Sequence, residues 1–391
     1  MAFREHMDST SFTIDSPGTL VPTPFGCEAF VPNALPPQMP VDRELRLADE
    51  RALLSLGELR AIIPSLPNPA LITTPFLRRE AVLSSKIEGT KTELEGLFLF
   101  ETTHRKPTAD RKTGSDAKEV VNYVVALKYG LEALKELPVC NRILKGSHAH
   151  LMEGIRDERG RDKLPGKFRK SQAYVGTDDI LTARYVAPPF QKVEELMGDL
   201  EIFINSKNDN LPTLVRIALI HYQFEAIHPF SDGNGRVGRL LISLLLAATG
   251  ILSQPLLYLS AYFERNREEY NRLLWEVSRS GAWREWLTFF LDGVDQESRD
   301  AAARARNILQ LREEYRTRAQ AEGTPAMVRL AESLFSWPIL TSKSAKTILG
   351  ITSAGILKII SRMEKMGLIT EVTGFKRNRI YVAKEIMHLM S

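Results

Sequence analysis

Cysteine is almost missing from this sequence: Cys27 and Cys140 are the only two among 391 residues. Two thiols without metal-ligand spacing leave no disulfide framework and no thiolate zinc site, which suits a reducing compartment. The chain also lacks a long uninterrupted apolar run. The richest stretch, around Leu240 to Leu252, is too short to cross a bilayer and directly follows two arginines, so a buried central helix is expected there. Met1 to Asp15 lacks the continuous apolar segment of a secretory signal, and the expectation is a cytoplasmic protein with no membrane partner. Internal repeats and low-complexity tracts are missing as well.

What is present describes an ordinary globular chain, long enough for two or three domains, with 43% hydrophobic and 26% charged residues. The net charge of +4 is small but uneven. Residues 321–391 hold ten Lys/Arg against five Asp/Glu, or +5, which leaves about −1 for the rest and hints at a separate C-terminal module.

Five segments are expected: a Pro-rich extended arm at 1–42, a helical region at 43–117, a catalytic domain at 118–295, a charged helical linker at 296–323 and a C-terminal module at 324–391. The arm is expected to be largely irregular and to lie over the domain. Helical periodicity covers about 41–63, 117–137 and 142–152, with a polar loop at 102–117 between. Thr74-Pro75 reads as the cap and first turn of a helix that Gly89 closes. Its stripe Leu77, Ala81, Ser84, Glu88 ends in polar residues: either the carboxylate faces inward and needs a cation, or the helix end is exposed.

The densest chemistry lies in His228-Pro-Phe-Ser-Asp232-Gly233-Asn234-Gly235-Arg236-Val-Gly-Arg239, between two apolar helical patterns. The spacing predicts a helix-loop-helix corner with Gly233-Asn234-Gly235 opening the second helix. Unpaired N–H groups there favour an anion, and glycines permit a phosphate to approach closely. Arg236 and Arg239 supply forked donors on the first turn, against the helix dipole, so an external anion is the natural reason for them. Asp232 is a hard oxygen ligand suited to Mg²⁺ between phosphates, and His228 titrates in the range of a general base. Singly, each of these is more often a turn, a core residue or a solvated face; the joint pattern reverses that.

The stretch resembles the signature of the Fic family, His-Pro-Phe-x-Asp/Glu-Gly-Asn-Gly-Arg-x-x-Arg, matched at every specified position. The resemblance implies a mainly α fold, a helical bundle with a small β-hairpin flap, that transfers AMP from ATP to a protein hydroxyl. On it His228 is the base, Asp232 holds Mg²⁺, Gly233, Asn234, Gly235 and Arg236 cradle phosphates, and Arg239 holds the γ-phosphate. Ser84-Ser-Lys-Ile-Glu88-Gly89 resembles the family's inhibitory motif, in which Glu88 would pair with Arg239 and block productive ATP binding. Short β-prone pieces at 173–176 and 184–187 suggest a hairpin by themselves. They also resemble the flap that docks target segments by strand addition, with Val175 and Gly176 as the contact. The resemblance places Asn266 and Tyr270 near adenine, with a core role for Tyr270 equally open.

Three helical patterns after Pro325 and an alternating hairpin with a basic tip resemble a winged helix-turn-helix domain. Lys358, Arg362, Lys376, Arg377 and Arg379 could meet DNA phosphates there, although many such domains bind proteins. The expected function is a protein adenylyltransferase acting on an unidentified protein and on itself, in a family whose members often form homodimers. Two alternatives remain: removal of AMP from protein, with a carboxylate at Glu88 positioning water, and a nucleotide-sensing DNA-binding regulator.

Overall fold

A computed structural model describes residues 7, 9–39, 41–65, 68–103, 111–155, 164–206, 210–252, 254–322 and 324–391. The order begins with strands β1 (Gly18–Pro22) and β2 (Glu28–Pro32), then helices α1 (Arg43–Ile62), α2 (Ala70–Ile87), α3 (Leu94–Thr103), α4 (Arg111–Ala133) and α5 (Asn141–Leu151). Strands β3 (Tyr174–Val175) and β4 (Tyr185–Val186) precede α6 (Val193–Asn205), α7 (Thr213–Ile227), α8 (Asn234–Ala248), α9 (Ser260–Arg265), α10 (Arg267–Ser280) and α11 (Trp283–Glu322). Last come α12 (Pro325–Ser333), β5 (Ile339–Thr341), α13 (Ser342–Leu349), α14 (Ser353–Lys365), β6 (Thr370–Glu371), β7 (Ile380–Val382) and α15 (Lys384–Met390). The chain is mainly helical, and it divides into two compact units.

The first unit comprises 1–56, 122–252 and 259–297. Its centre is α8, where Val237, Leu240, Leu241 and Leu244 have no solvent exposure and even Arg236 and Arg239 are buried. A helix apolar on nearly all sides must be enclosed, and α7 lies against it. Below them an aromatic layer forms: His221 stacks near Phe263, Tyr270 and Trp286, and the Trp286 indole donates to the Ala218 carbonyl at 3.1 Å.

The arm is more ordered than its prolines suggest. Thr19 pairs with Val31 and Leu20 with Phe30 in an antiparallel hairpin. Ala29 and Phe30 are fully buried, Ala29 against Ala183 and Val186 and the Phe30 ring 6.2 Å from that of Tyr185. Proline is tolerated at the strand ends Pro22 and Pro32. The stretch following Ser260 forms two helices: Asn266 (φ −114°, ψ 34°) separates α9 from α10, and Gly281 at φ 66° ends α10. From Trp283 onward α11 continues unbroken for 40 residues, so the expected linker is the far part of a longer helix.

The second unit comprises 57–121, 253–258 and 298–391. Here α2 starts one turn earlier than Thr74-Pro75 implied, because the Asn68 side chain accepts the Ala70 N–H at 3.0 Å; Pro75 is inside the helix. Leu77, Ala81 and Ser84 are buried while Glu88 is exposed, so the stripe does not reach its fourth member. Of the loop expected at 102–117, residues 102–103 belong to α3 and 111–117 to α4, while 104–110 lie outside the described residues. In the last third, β5, β7 and β6 form an antiparallel sheet in that order, and α13 lies against β5, α12 and α14. Thr341 and Ser344 cap α13 reciprocally, and Gly350 at φ 65° ends it.

Candidate active site at the corner between two helices

Helix α7 ends because His228 takes the left-handed conformation, φ 52° and ψ 59°, while its N–H still bonds the Phe224 carbonyl. Pro229 then cannot continue the helix. A non-glycine residue at positive φ is uncommon and costs about 1 kcal/mol or more. The surroundings compensate for it: Arg169, itself 2% exposed, donates from Nε to the His228 carbonyl at 2.8 Å, and its backbone N–H bonds the Pro229 carbonyl at 2.9 Å. The same guanidinium reaches the carbonyls of Ser171 (2.9 Å), Pro188 (2.6 Å) and Ile227 (3.4 Å). Burial lowers its pKa to about 10, still cationic at neutral pH.

Phe230 is fully buried, and the His148 ring of α5 lies on it at 3.9 Å with planes 12° apart. Asn234 closes the loop: its Oδ1 accepts the Phe230 N–H at 2.7 Å and its Nδ2 donates to the Phe230 carbonyl at 2.8 Å. The Asn234 side chain is thus a brace, which leaves a ligand role to the backbone at that position. Gly233, at φ 77°, opens α8; a Cβ there would stand 3.1 Å from Met152 Sδ and 3.2 Å from a Leu151 methyl.

His148 holds the loop from the other side. Its Nδ1 accepts the Gly166 N–H at 3.0 Å, which requires the proton on Nε2, and Nε2 donates to the Asp232 carbonyl at 3.1 Å. Burial lowers the His148 pKa to about 4, partly offset by Asp232, so the ring is neutral. The Asp232 carboxylate keeps about a third of its surface (34%) and stands 3.5 Å from the Arg236 guanidinium.

Behind Arg239, buried in α8, His221 donates from Nδ1 to the Gly238 carbonyl (3.1 Å) and accepts at Nε2 from the Tyr270 hydroxyl (2.8 Å). Burial first, and the Arg239 charge second, lower its pKa to about 3. Tyr270 therefore has a defined core role. Asn266, half-buried, donates to the Tyr262 carbonyl at 2.9 Å.

The expected hairpin forms: Tyr174 pairs with Val186 and Val175 with Tyr185, and Arg184 N–H bonds the Val175 carbonyl at 2.9 Å. Val175 and Gly176 are exposed. The Tyr185 hydroxyl donates to the Ala226 carbonyl at 2.6 Å, anchoring the hairpin to the end of α7. Ser84, Glu88 and Gly89 belong to the second unit, with Ser84 buried at the end of α2 and Gly89 at φ 101° just beyond it. The structure thus brings His228, Asp232, Gly233, Gly235, Arg236 and Arg239 to one corner. It adds His148, Arg169 and Tyr185, which the sequence did not single out for a role. Among the described residues no three His, Cys, Asp or Glu side chains cluster as a metal cage, and no helix is long and apolar enough to cross a membrane.

Residues 47–132 match the Fic/DOC family N-terminal region and residues 138–246 match the Fic/DOC family. The chain is 29% identical over 256 residues to the protein adenylyltransferase Fic of Drosophila grimshawi, covering 63% of this chain and 48% of that protein. It is 32% identical over 181 residues to that of Aedes aegypti, covering 46% and 31%. The chain thus spans about half or less of the length of these curated relatives. A crystal structure of a Fic family protein from Desulfovibrio desulfuricans G20 has the same fold, with TM-score 0.52 at 22% identity over 89% of this chain and 98% of that one. Fic-1 (aa134 - 508) from C. elegans gives TM-score 0.53 at 22% identity over 68% and 74%.

Proposed function

We propose that this chain, which carries both Fic/DOC segments, is a protein adenylyltransferase that moves AMP from ATP to a hydroxyl of a protein, itself included. The observation that carries this reading is the braced corner: a histidine at positive φ, a carboxylate about a third exposed and two buried arginines on one loop and the helix turn after it. His228 takes the proton of the incoming hydroxyl, whose oxygen bonds the α-phosphorus as the bond to the β-phosphate oxygen breaks and pyrophosphate leaves. The Gly233 to Arg236 turn and Arg239 receive the phosphates.

Asp232 fits Mg²⁺ as a single hard oxygen donor, with phosphate oxygens and water completing the shell. Bound there, the ion would neutralise charge on the departing pyrophosphate. Residues Val175 and Gly176 of β3 offer an edge to an extended target segment, and Asn266 borders the nucleobase end. Glu88 restrains the enzyme by pairing with Arg239 in place of the γ-phosphate. The test is transfer of label from α-labelled ATP in a cell extract, native chain against Glu88→Gly. Label on protein much increased in the variant supports transfer under restraint. No label from either chain, with Glu88-dependent loss of AMP from a modified protein, transfers the reading to AMP removal.

A second reading concerns the C-terminal elements, which we read as a winged helix. Lys358, Arg362, Lys376, Arg377 and Arg379 are all exposed on α14 and the β6–β7 tip, and these cations suit DNA phosphates. Lys358→Glu with Arg362→Glu in the full chain should abolish retention on a DNA column at low salt; unchanged retention removes this reading. With retention shown and no transfer of label, the reading becomes a nucleotide-sensing DNA-binding regulator.

A further inference from the structure

We infer that His148 is a positioning residue for the transfer reaction, an inference that rests on the adenylyltransferase reading. It is fully buried on α5, so it cannot meet substrate, and both its ring nitrogens are committed. One accepts from Gly166 at the entry to the segment that leads into β3; the other donates to Asp232 in the loop after α7. Its ring lies flat on Phe230, whose backbone Asn234 closes. Those loop residues carry His228 at one end and Asp232 at the other. The imidazole therefore sets where the Asp232 backbone stands relative to the chain entering the β-hairpin. Gly166, at φ 71°, comes close because it has no Cβ, which would meet Ala149 Cβ at 3.1 Å.

The discriminating variants are His148→Phe, which keeps a flat ring on Phe230 but neither hydrogen bond, and His148→Gln, whose amide supplies one acceptor and one donor. In the Glu88→Gly chain, His148→Phe should lower kcat for self-modification at least tenfold, with ATP affinity changed less than threefold. Hydrogen exchange at the amides of Phe230 to Gly235 should become faster, and His148→Gln should recover much of both. An unchanged kcat in His148→Phe overturns the inference. So does an equal loss in both variants that follows their melting temperatures. If the Glu88→Gly chain transfers no label while exchange responds as described, the activity reading fails and the brace stands.

A different observation, within the second unit, carries a second inference. Arg78 of α2 is buried, bonds Glu101 through two nitrogens (2.7 and 3.1 Å), and lies over the rings of Phe98 (5.4 Å) and Trp337 (4.6 Å). The Trp337 indole donates to Thr102 Oγ1 at 2.7 Å, and Phe98 meets its edge at 5.2 Å. Next to it, Arg79 donates to the backbone oxygen of Ser391 at 3.0 Å. So the helix that bears Ser84 to Gly89 is held by residues from the last third of the chain. We propose that this grip sets the strength of inhibition; this too rests on the adenylyltransferase reading.

Trp337→Ala and Arg79→Glu should each raise self-modification at least fivefold, while Trp337→Phe, which keeps a ring on Arg78, stays nearer the native level. In the Glu88→Gly chain the same changes should add nothing, because one restraint is being removed twice. Unchanged transfer in a folded Trp337→Ala chain, alongside a raised Glu88→Gly, overturns the grip alone. A Glu88→Gly chain no more active than the native one overturns the inhibitory reading beneath it.

Discussion

The guanidinium of Arg169 donates to the carbonyl of His228 across 59 residues of sequence, at 2.8 Å, in a place where the backbone has turned left-handed. The contact explains how a histidine can hold that conformation at the end of α7. It also ties the candidate base to the segment entering the hairpin, since Arg169 contacts the Ser171 and Pro188 carbonyls as well. A rigid base is worth its strain only if the reacting hydroxyl arrives at a defined place.

Replacing Arg169 by Ala leaves the carbonyls of His228, Ser171 and Pro188 without this donor. The expected loss is on the order of 3 kcal/mol in urea unfolding, with transfer abolished. Arg169→Lys should recover little of either, because one ammonium cannot serve the same fork of acceptors.

Gly233→Ala places a side chain at φ 77° beside Met152 and Leu151. We expect about 1–2 kcal/mol of destabilisation. Nucleotide affinity, measured by calorimetry, should fall as well, since the first turn of α8 must shift.

The pH dependence of stability should carry the mark of His221. Buried with Tyr270 at one nitrogen and the Arg239 charge nearby, it has a folded pKa of about 3 against 6.5 unfolded. The unfolded chain then binds the extra proton, so this contribution is fully present above about pH 6.5 and is lost as the pH falls toward 3. From pH 7 to 5 it amounts to about 2 kcal/mol. Urea unfolding at both values, repeated with His221→Gln, should show the slope reduced in the variant.

His228→Ala should abolish AMP transfer and leave ATP binding within a few-fold, whereas Glu88→Gly should raise transfer. Labelled-ATP assays and calorimetry on the same preparations separate the two. Turnover retained in His228→Ala removes its role as base.

The corner was legible because its parts are contiguous. Apolar periodicity on both sides of His228 to Arg239 located two helices, and glycine and proline marked the turn between them. The paired strands at 174–175 and 185–186 were legible for the same local reason. Pro75 misled, since a first-turn position is a preference and Asn68 could cap the helix earlier. The prolines of the arm concealed the hairpin at 18–32, whose stability comes from Phe30 packed against residues far along the chain.

By itself, the sequence determined the local chemistry of this protein: a histidine, a carboxylate, glycines and arginines in one short stretch, and the helices that frame it. Only the tertiary structure decided which polar groups lose water and must find partners. His148 lies 84 residues from Asp232 and Arg169 lies 59 from His228, and neither belongs to a motif. Burial gave them their roles, because a desolvated donor or acceptor is costly until it is paired, and the unpaired backbone of a sharp turn was what lay within reach.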